Sequence, residues 1–345
     1  MTKQLTVAVV GATGAVGSKM MEHLIKREFP IGHIKFLASA RSAGKPIEFN
    51  GKTYTIEEAT PESFEGVNVA LFSAGGSVSA ALAPEAAKRG AVVIDNTSHF
   101  RMDPNVPLVV PEVNRKDLAK HNGIIANPNC STIQMVAALQ PIREAFGLTK
   151  VIVSTYQAVS GSGIAAIDEL RDQSSQWAEG KNVEANVLPC KADKKHFPIA
   201  RNVIPQIDKF TDNGFTYEEM KMINETKKIM HMPDLPVAAT CVRVPVVSGH
   251  SESVYIEVEN EASLEDIFNV LKNAPGIVLQ DDIKTQTYPM PIYAEDEDPV
   301  FVGRIRQDLS VKKGFHMWIV ADNLLKGAAL NSIQIAEAML EDNLL

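Results

Sequence analysis

Cysteine is scarce in this chain, with only Cys130, Cys190 and Cys241 among 345 residues. An odd, widely spaced set makes no disulfide framework, and there is no CxxC pair or zinc spacing, so no metal site is expected. Long apolar runs are also missing: no uninterrupted stretch could cross a bilayer, which argues against a membrane partner. Nor is there an excess of positive charge. The 34 Lys and Arg against 42 Asp and Glu give a net charge of −8, with no basic stripe and no RNA-binding motif. Phosphate backbones demand clustered cations, so nucleic acid is excluded and a small-molecule partner is expected. The opening "MTKQLTVAVVGATG" lacks the basic segment, apolar stretch and cleavage site of a secretory leader, which points to the cytoplasm.

What remains is ordinary globular material. Hydrophobic residues make up 45% and charged residues 22%, which argues against disorder, and the length favours two domains. From Leu5 to about Leu148, β-rich runs ("LTVAVV", "HIKFLAS", "VNVALFSA", "AVVIDNT") alternate with amphipathic runs ("VGSKMMEHLIKR", "VSAALAPEAAKRG"). That is the βαβ signature of a doubly wound parallel sheet. Beyond Lys150 come longer alternating strands, "KVIVSTYQA", "VAATCVRVPVV" and "SESVYIEVEN", whose period of two suits a sheet with one covered face. The fold class expected is α/β: a Rossmann-type domain over 1–128, completed by a C-terminal helix in 324–345, and a second α+β domain with a mixed sheet over 129–323.

"VAVVGATGAVGSKMM" sets Gly11, Gly14 and Gly17 between the first strand and first helix. Small residues there let the backbone approach a pyrophosphate, whose charge sits against the N–H groups of the helix start. The spacing is GxxGxxG, a variant of the dinucleotide fingerprint, and by itself any tight strand-to-helix turn would also want glycine. After the second strand, where NAD-binding proteins carry an acid for the ribose hydroxyls, stand Arg41 and Ser42. A guanidinium and a hydroxyl pair with a 2′-phosphate that a carboxylate would repel, so NADP fits better than NAD, although a solvated loop arginine would look the same. "SAGGS", Ser73 to Ser77, follows another strand and is a further candidate for the cofactor floor.

Cys130, in "ANPNCSTIQM", follows the strand-like "GIIAN" and opens an apolar helix-like run. A helix N-terminus favours thiolate, yet free cysteines are among the most buried residues, so nucleophile and packing residue both stay open. In "TCVRVPVVSGHSES", Arg243 and His250 flank a turn between two strands. A histidine takes up a proton and an arginine holds a carboxylate in two bonds, and sequence separation from Cys130 is no obstacle.

"GATGAVG", "NPNCST", "YQAVSGSG", "RNVIPQID", "CVRVPVVSGHSES" and "DNLLKGAALNSIQIAE" together resemble the aspartate-β-semialdehyde dehydrogenase family, in order from Val7 to the C-terminal helix. The resemblance implies NADPH-dependent reductive dephosphorylation of L-aspartyl-4-phosphate to L-aspartate 4-semialdehyde. It places the reaction on the route to lysine, threonine, methionine and diaminopimelate. It makes Cys130 the nucleophile, His250 the acid/base and Gln157 the positioner of the acyl intermediate. It gives Arg243 the substrate α-carboxylate and Glu219, in "YEEMK", the α-amino group. Arg101, Asn129 and Lys221 become phosphate contacts. Thr13, Gly14, Ala15 and Val16 fall on the pyrophosphate loop, Arg41 and Ser42 on the 2′-phosphate, and Ser160, Gly161 and Asn323 near the nicotinamide. The family forms homodimers or tetramers through the second domain, and the region "SSQWAEGKNVEANVLPCKADKKHFP" resembles the shorter type common in Gram-positive organisms. A related reductase acting on N-acetyl-γ-glutamyl phosphate shares the cysteine and histidine, but a carboxylate for a free ammonium argues against it. A catalytically silent NADP-binding protein would have no need of Cys130, Gln157, Arg243 and His250 together.

Overall fold

The computed structural model describes residues 4–345. The chain divides into two compact units, Met1–Asn129 with Ala328–Leu345, and Cys130–Gly327. The first seam lies one residue after the expected 128/129, because Cys130 already belongs to the helix of the second unit.

In the first unit, β1 (Leu5–Val10), α1 (Ala15–Lys26), β2 (Ile31–Ala38), β3 (Pro46–Phe49), β4 (Lys52–Thr55), β5 (Glu57–Glu58), β6 (Val69–Phe72), α2 (Gly76–Lys88), β7 (Val92–Asp95), α3 (Pro111–Asn114) and β8 (Ile124–Ala126) follow in order. The main sheet runs β5-β2-β1-β6-β7-β8, every pairing parallel. Alternation along β1 splits its side chains between two layers. Val7 and Val9 join Met20 and Leu24 of α1 and Ile333 and Met339 of the C-terminal helix, Leu330–Glu341. Ala8 and Val10 join Ala83 and Ala86 of α2. Helices on both faces explain why four consecutive apolar residues, Val7 to Val10, are all buried in the strand, and each large side chain so buried contributes about 1.5–3 kcal/mol. The C-terminal helix is tied down further by Arg27, which holds Glu337 in two bonds of 2.8 and 2.7 Å. β3 and β4 form a hairpin over Asn50–Gly51, both at positive φ (48° and 70°), the Asn-Gly turn that matches strand twist.

The second unit holds α4 (Cys130–Phe146), β9 (Lys150–Gln157), α5 (Ile164–Ala178), α6 (Tyr217–Ile229), β10 (Val237–Arg243), β11 (His250–Glu257), α7 (Leu264–Lys272), β12 (Ile277–Leu279), α8 (Pro291–Ala294), β13 (Val300–Gln307) and β14 (Gly314–Ala321). Its sheet runs β10-β9-β11-β14-β13-β12 and is mixed: β10–β9 and β12–β13 are parallel, the rest antiparallel. The inward residues of β9, Val151, Val153, Thr155 and Gln157, are buried, whereas Ile152 and Tyr156 are exposed. One face is therefore covered and the other open. No described helix is long and apolar enough to cross a membrane.

Candidate active site

Three neighbouring strands of the second unit bring their chemistry to one end of the sheet. Arg243 ends β10 in register with Gln157, which ends β9. β11 runs the opposite way, with Ser251 opposite Tyr156, so His250 at its start is level with both. Cys130 is the first residue of α4, where the positive end of the helix dipole favours the thiolate. Between β9 and α5 the chain turns over Val159–Ser162.

His250 is fully buried, and its Nδ1 accepts the Ala158 N–H at 3.1 Å. A ring nitrogen that accepts cannot carry a proton, so the neutral ring holds its hydrogen on Nε2. That atom has no partner among the described residues. Burial, then the nearby Arg243 charge, push the imidazole pKa down to about 3, so the ring is neutral across physiological pH. Arg243 is buried as well; its Nη1 donates to the Ala158 carbonyl at 2.7 Å and Nη2 to Ser162 Oγ at 2.9 Å. Its Nε has no partner among the described residues. A Cβ on Gly161 would lie 3.0 Å from Arg243 Nη1 and 3.3 Å from His250 Nε2; glycine keeps that space open. Ser160 and Asn323 bond side chain to side chain, at 3.0 Å from Asn323 Nδ2 to Ser160 Oγ, and Asn323 Oδ1 accepts the Gly249 N–H at 2.9 Å, beside His250.

The two adjacent acids of α6, the expected Glu219 and its neighbour Glu218, have different partners. Glu219 is spent on the fold: Oε2 accepts the Thr216 N–H at 2.7 Å, closing a capping box at the start of α6, and Oε1 accepts the Cys241 N–H at 3.1 Å. Its neighbour Glu218 faces the site. Glu218 Oε1 accepts from Gln157 Nε2 at 3.1 Å, and Oε2 pairs with Lys221 Nζ at 3.2 Å, which also reaches Asp208 at 3.1 Å. Glu218 also acts on Arg243 and His250, favouring the protonated form of each. The signal was present in the sequence, because "TYEE" carries the Thr-x-x-Glu pattern of a capping box. Cys241 is an interior thiol whose pKa is raised by burial and then by Glu218; it is no nucleophile.

Two neighbours of the site left no sequence signal. A Cβ on Gly327 would fall 2.7 Å from Cys130 Cβ, and the Gly327 N–H bonds the Asp322 carbonyl at 3.2 Å across a π-helical turn, Leu325–Ala329. Gln134, one turn along α4 from Cys130, donates from Nε2 to the His250 carbonyl at 3.2 Å.

In the first unit, a cavity of about 540 Å³ is lined by Gly11, Thr13, Gly14, Arg41, Ser42 and Ser73, with Glu58 also on its wall. The residues suit a dinucleotide. Gly14 caps α1 without a side-chain bond, and the first turn has no acid. Gly11 has φ +88°, and a Cβ there would meet the Ser73 backbone at 2.9 Å. Arg41 is exposed and has no hydrogen bond or ion pair among the described residues. Ala15 and Val16 open α1, but the Val16 side chain packs into the core. Gly17 is packed against Gly11, where a Cβ would lie 2.3 Å from its carbonyl oxygen. Val16 and Gly17 therefore shape the loop rather than line the cavity. Arg101, also buried in this unit, donates to the Asn127 and Asn96 carbonyls at 2.9 and 2.7 Å, on the segment that leads through Asn129 to Cys130.

Residues 6–121 match the family model described as semialdehyde dehydrogenase, NAD binding domain, and residues 139–326 the one described as semialdehyde dehydrogenase, dimerisation domain. The chain is 65% identical to the aspartate-semialdehyde dehydrogenase of Bacillus subtilis over the full length of both. It is 53% identical to that of Aquifex aeolicus over 98% of this chain and 99% of the relative. Among solved structures, aspartate semialdehyde dehydrogenase II of Vibrio cholerae, complexed with ASA, superposes with a TM-score of 0.93 at 48% identity over 99% of each chain. The Candida albicans enzyme with NADP does so with a TM-score of 0.77 at 25% identity, over 99% of this chain and 100% of that one.

Proposed function

This chain belongs to the aspartate-semialdehyde dehydrogenase family, and from that premise we propose that it reduces L-aspartyl-4-phosphate to L-aspartate 4-semialdehyde with NADPH, releasing phosphate. It is an oxidoreductase of amino-acid biosynthesis, on the route to lysine, threonine, methionine and diaminopimelate. The observation that carries the site assignment is the convergence at one sheet end of a cysteine heading a helix, a neutral histidine offering Nε2–H, and an arginine and an acid of opposite charge.

The substrate is a zwitterion with an acyl phosphate. Arg243 holds its α-carboxylate, for which the guanidinium has a spare Nε donor, and Glu218 holds its α-ammonium. Arg101, Asn129 and Lys221 are assigned to the phosphate; for Lys221 the anion competes with Asp208 and Glu218. The Cys130 thiolate attacks the acyl carbon, the C–O bond to phosphate breaks, and a thioester remains. A thioester accepts hydride where a carboxylate does not. Gln157 orients the acyl group. The bound cofactor supplies the hydride, held by the glycine loop with Arg41 and Ser42 on its 2′-phosphate and Ser160, Gly161 and Asn323 near its nicotinamide. As charge builds on the acyl oxygen, His250 donates Nε2–H to it, shares that proton with the thiohemiacetal and regains it when the C–S bond breaks. Aldehyde and thiolate result, with no net proton lost from the histidine.

A second copy of the chain covers the open face of the second sheet, where Ile152 and Tyr156 stand exposed, giving a homodimer. A reactive free thiol suits the reducing cytoplasm. Phosphate-dependent NADP⁺ reduction with aspartate semialdehyde tests the reaction. Cys130→Ala is expected to lose about 10³-fold or more in kcat, and a variant that keeps wild-type rates would sink the thioester.

A further inference from the structure

Directly behind His250, the inner face of β11 carries a carboxyl group that this chemistry does not use. Glu252 is fully buried, and neither of its oxygens has a hydrogen-bond partner among the described residues. Thr155 is its register partner on β9, and the Gln134 amide reaches it from α4, where its second N–H favours the ionised form. Gln134 lies on the same face of α4 as Cys130, four residues on, and its Nε2 is committed to the His250 carbonyl at 3.2 Å. A carbonyl only accepts, so the amide cannot be turned the other way. Gln134 Oε1 is therefore left buried without a donor among the described residues. An ionised Glu252 would keep a charge out of water with neither oxygen in a hydrogen bond that the described residues supply, and would leave Gln134 Oε1 without a donor as well. One proton satisfies both groups.

We propose that Glu252 is held as a neutral carboxylic acid that donates its O–H to Gln134 Oε1, and that the chain Glu252–Gln134–His250 is a positioning device locking the strand that carries His250 to the helix that carries Cys130. This rests on the roles proposed above for those two residues. The titratable groups facing Glu252 from the packed elements favour the neutral form. Glu218 on α6 is an acid, Cys241 on β10 feels Glu252 as a further push towards its own protonated state, and His250 is neutral. Burial lifts the Glu252 carboxyl well above the ordinary range; the Gln134 amide works against it and Glu218 adds to it, and burial prevails.

Thermal unfolding of the wild type and Glu252→Gln, followed from about pH 4.5 to 8, tests the protonation state without any turnover. Above about pH 4.5 an unfolded glutamate sheds its proton while the buried one keeps it, so the wild type loses stability as pH rises. The amide has no proton to lose. Relative to the wild type, Glu252→Gln is expected to gain a few degrees in midpoint between pH 4.5 and 8. A difference that stays flat or falls overturns the neutral carboxyl. In turnover, Glu252→Gln is expected within roughly threefold of wild-type kcat with an unchanged pH profile, whereas Glu252→Ala and Gln134→Met lose about tenfold or more in kcat at nearly constant KM. If Glu252→Ala fails to fold, Gln134→Met still reads the clamp. Glu252→Gln losing as much activity as Gln134→Met would overturn the positioning role. A wild-type rate in Cys130→Ala would instead sink the underlying reaction while leaving the unfolding result intact.

Discussion

Glu218 and Glu219 are adjacent in the chain and do unrelated work, because consecutive positions on a helix lie about 100° apart. Glu219 points back to the first turn of α6 and to β10, and both its oxygens accept backbone N–H groups. Glu218 points to Gln157 and Lys221. Replacing the acid with its amide separates the two. Glu218→Gln is expected to raise KM for aspartate semialdehyde about 10-fold or more, the scale of one charge-assisted hydrogen bond. Glu219→Gln should leave KM within roughly threefold and cost about 1 kcal/mol of stability as the cap weakens. Steady-state kinetics on both variants, with denaturant unfolding alongside, decides it; the opposite ranking would return the ammonium to Glu219. His250 makes a similar point about context. The residue type announced proton chemistry, but only the Ala158 N–H on Nδ1 says which nitrogen faces the substrate.

At the scale of elements, the site is a meeting of ends. Two parallel strands deliver Gln157 and Arg243, an antiparallel one begins with His250, and α4 delivers Cys130 at its positive end. The alternating patterns of "KVIVSTYQ" and "VAATCVR" were legible as strands, and the glycine loop as a strand-to-helix turn, because side-chain period and turn chemistry are local properties. The π-helical turn at Leu325–Ala329 was not legible, since the packing of Gly327 on Cys130 involves residues almost 200 positions apart. Gly327→Ala drives a methyl to within 2.7 Å of Cys130 Cβ, and the nucleophile or the turn must shift. A fall in kcat of about 10-fold or more is expected, since small misplacements of reacting groups are costly, with slower alkylation of Cys130 by iodoacetamide. Unchanged kinetics would mean that the turn yields without moving the sulfur.

For the whole molecule, the buried site couples chemistry to folding. His250 has a folded pKa of about 3 against about 6.5 in an unfolded chain. Between those values the unfolded state takes up a proton that the native ring refuses, so this residue's contribution is complete above about pH 6.5 and is lost as pH falls towards 3. His250→Asn should therefore gain on the wild type in thermal midpoint by a few degrees between pH 7 and 4.5, a trend that scanning fluorimetry would follow; a constant offset would mean that the native ring titrates normally. By itself the sequence determined the two-domain class, the cofactor loop and the residue types of the reaction, because hydrophobic period, glycine spacing and ordered motifs are written along the chain. Only the tertiary structure decided which of two neighbouring glutamates bonds Gln157 and Lys221, which histidine nitrogen accepts a backbone N–H, and that a buried carboxyl group lies behind it with no donor among the described residues. Those outcomes depend on which polar groups are buried together, and burial sets both a group's partners and its charge.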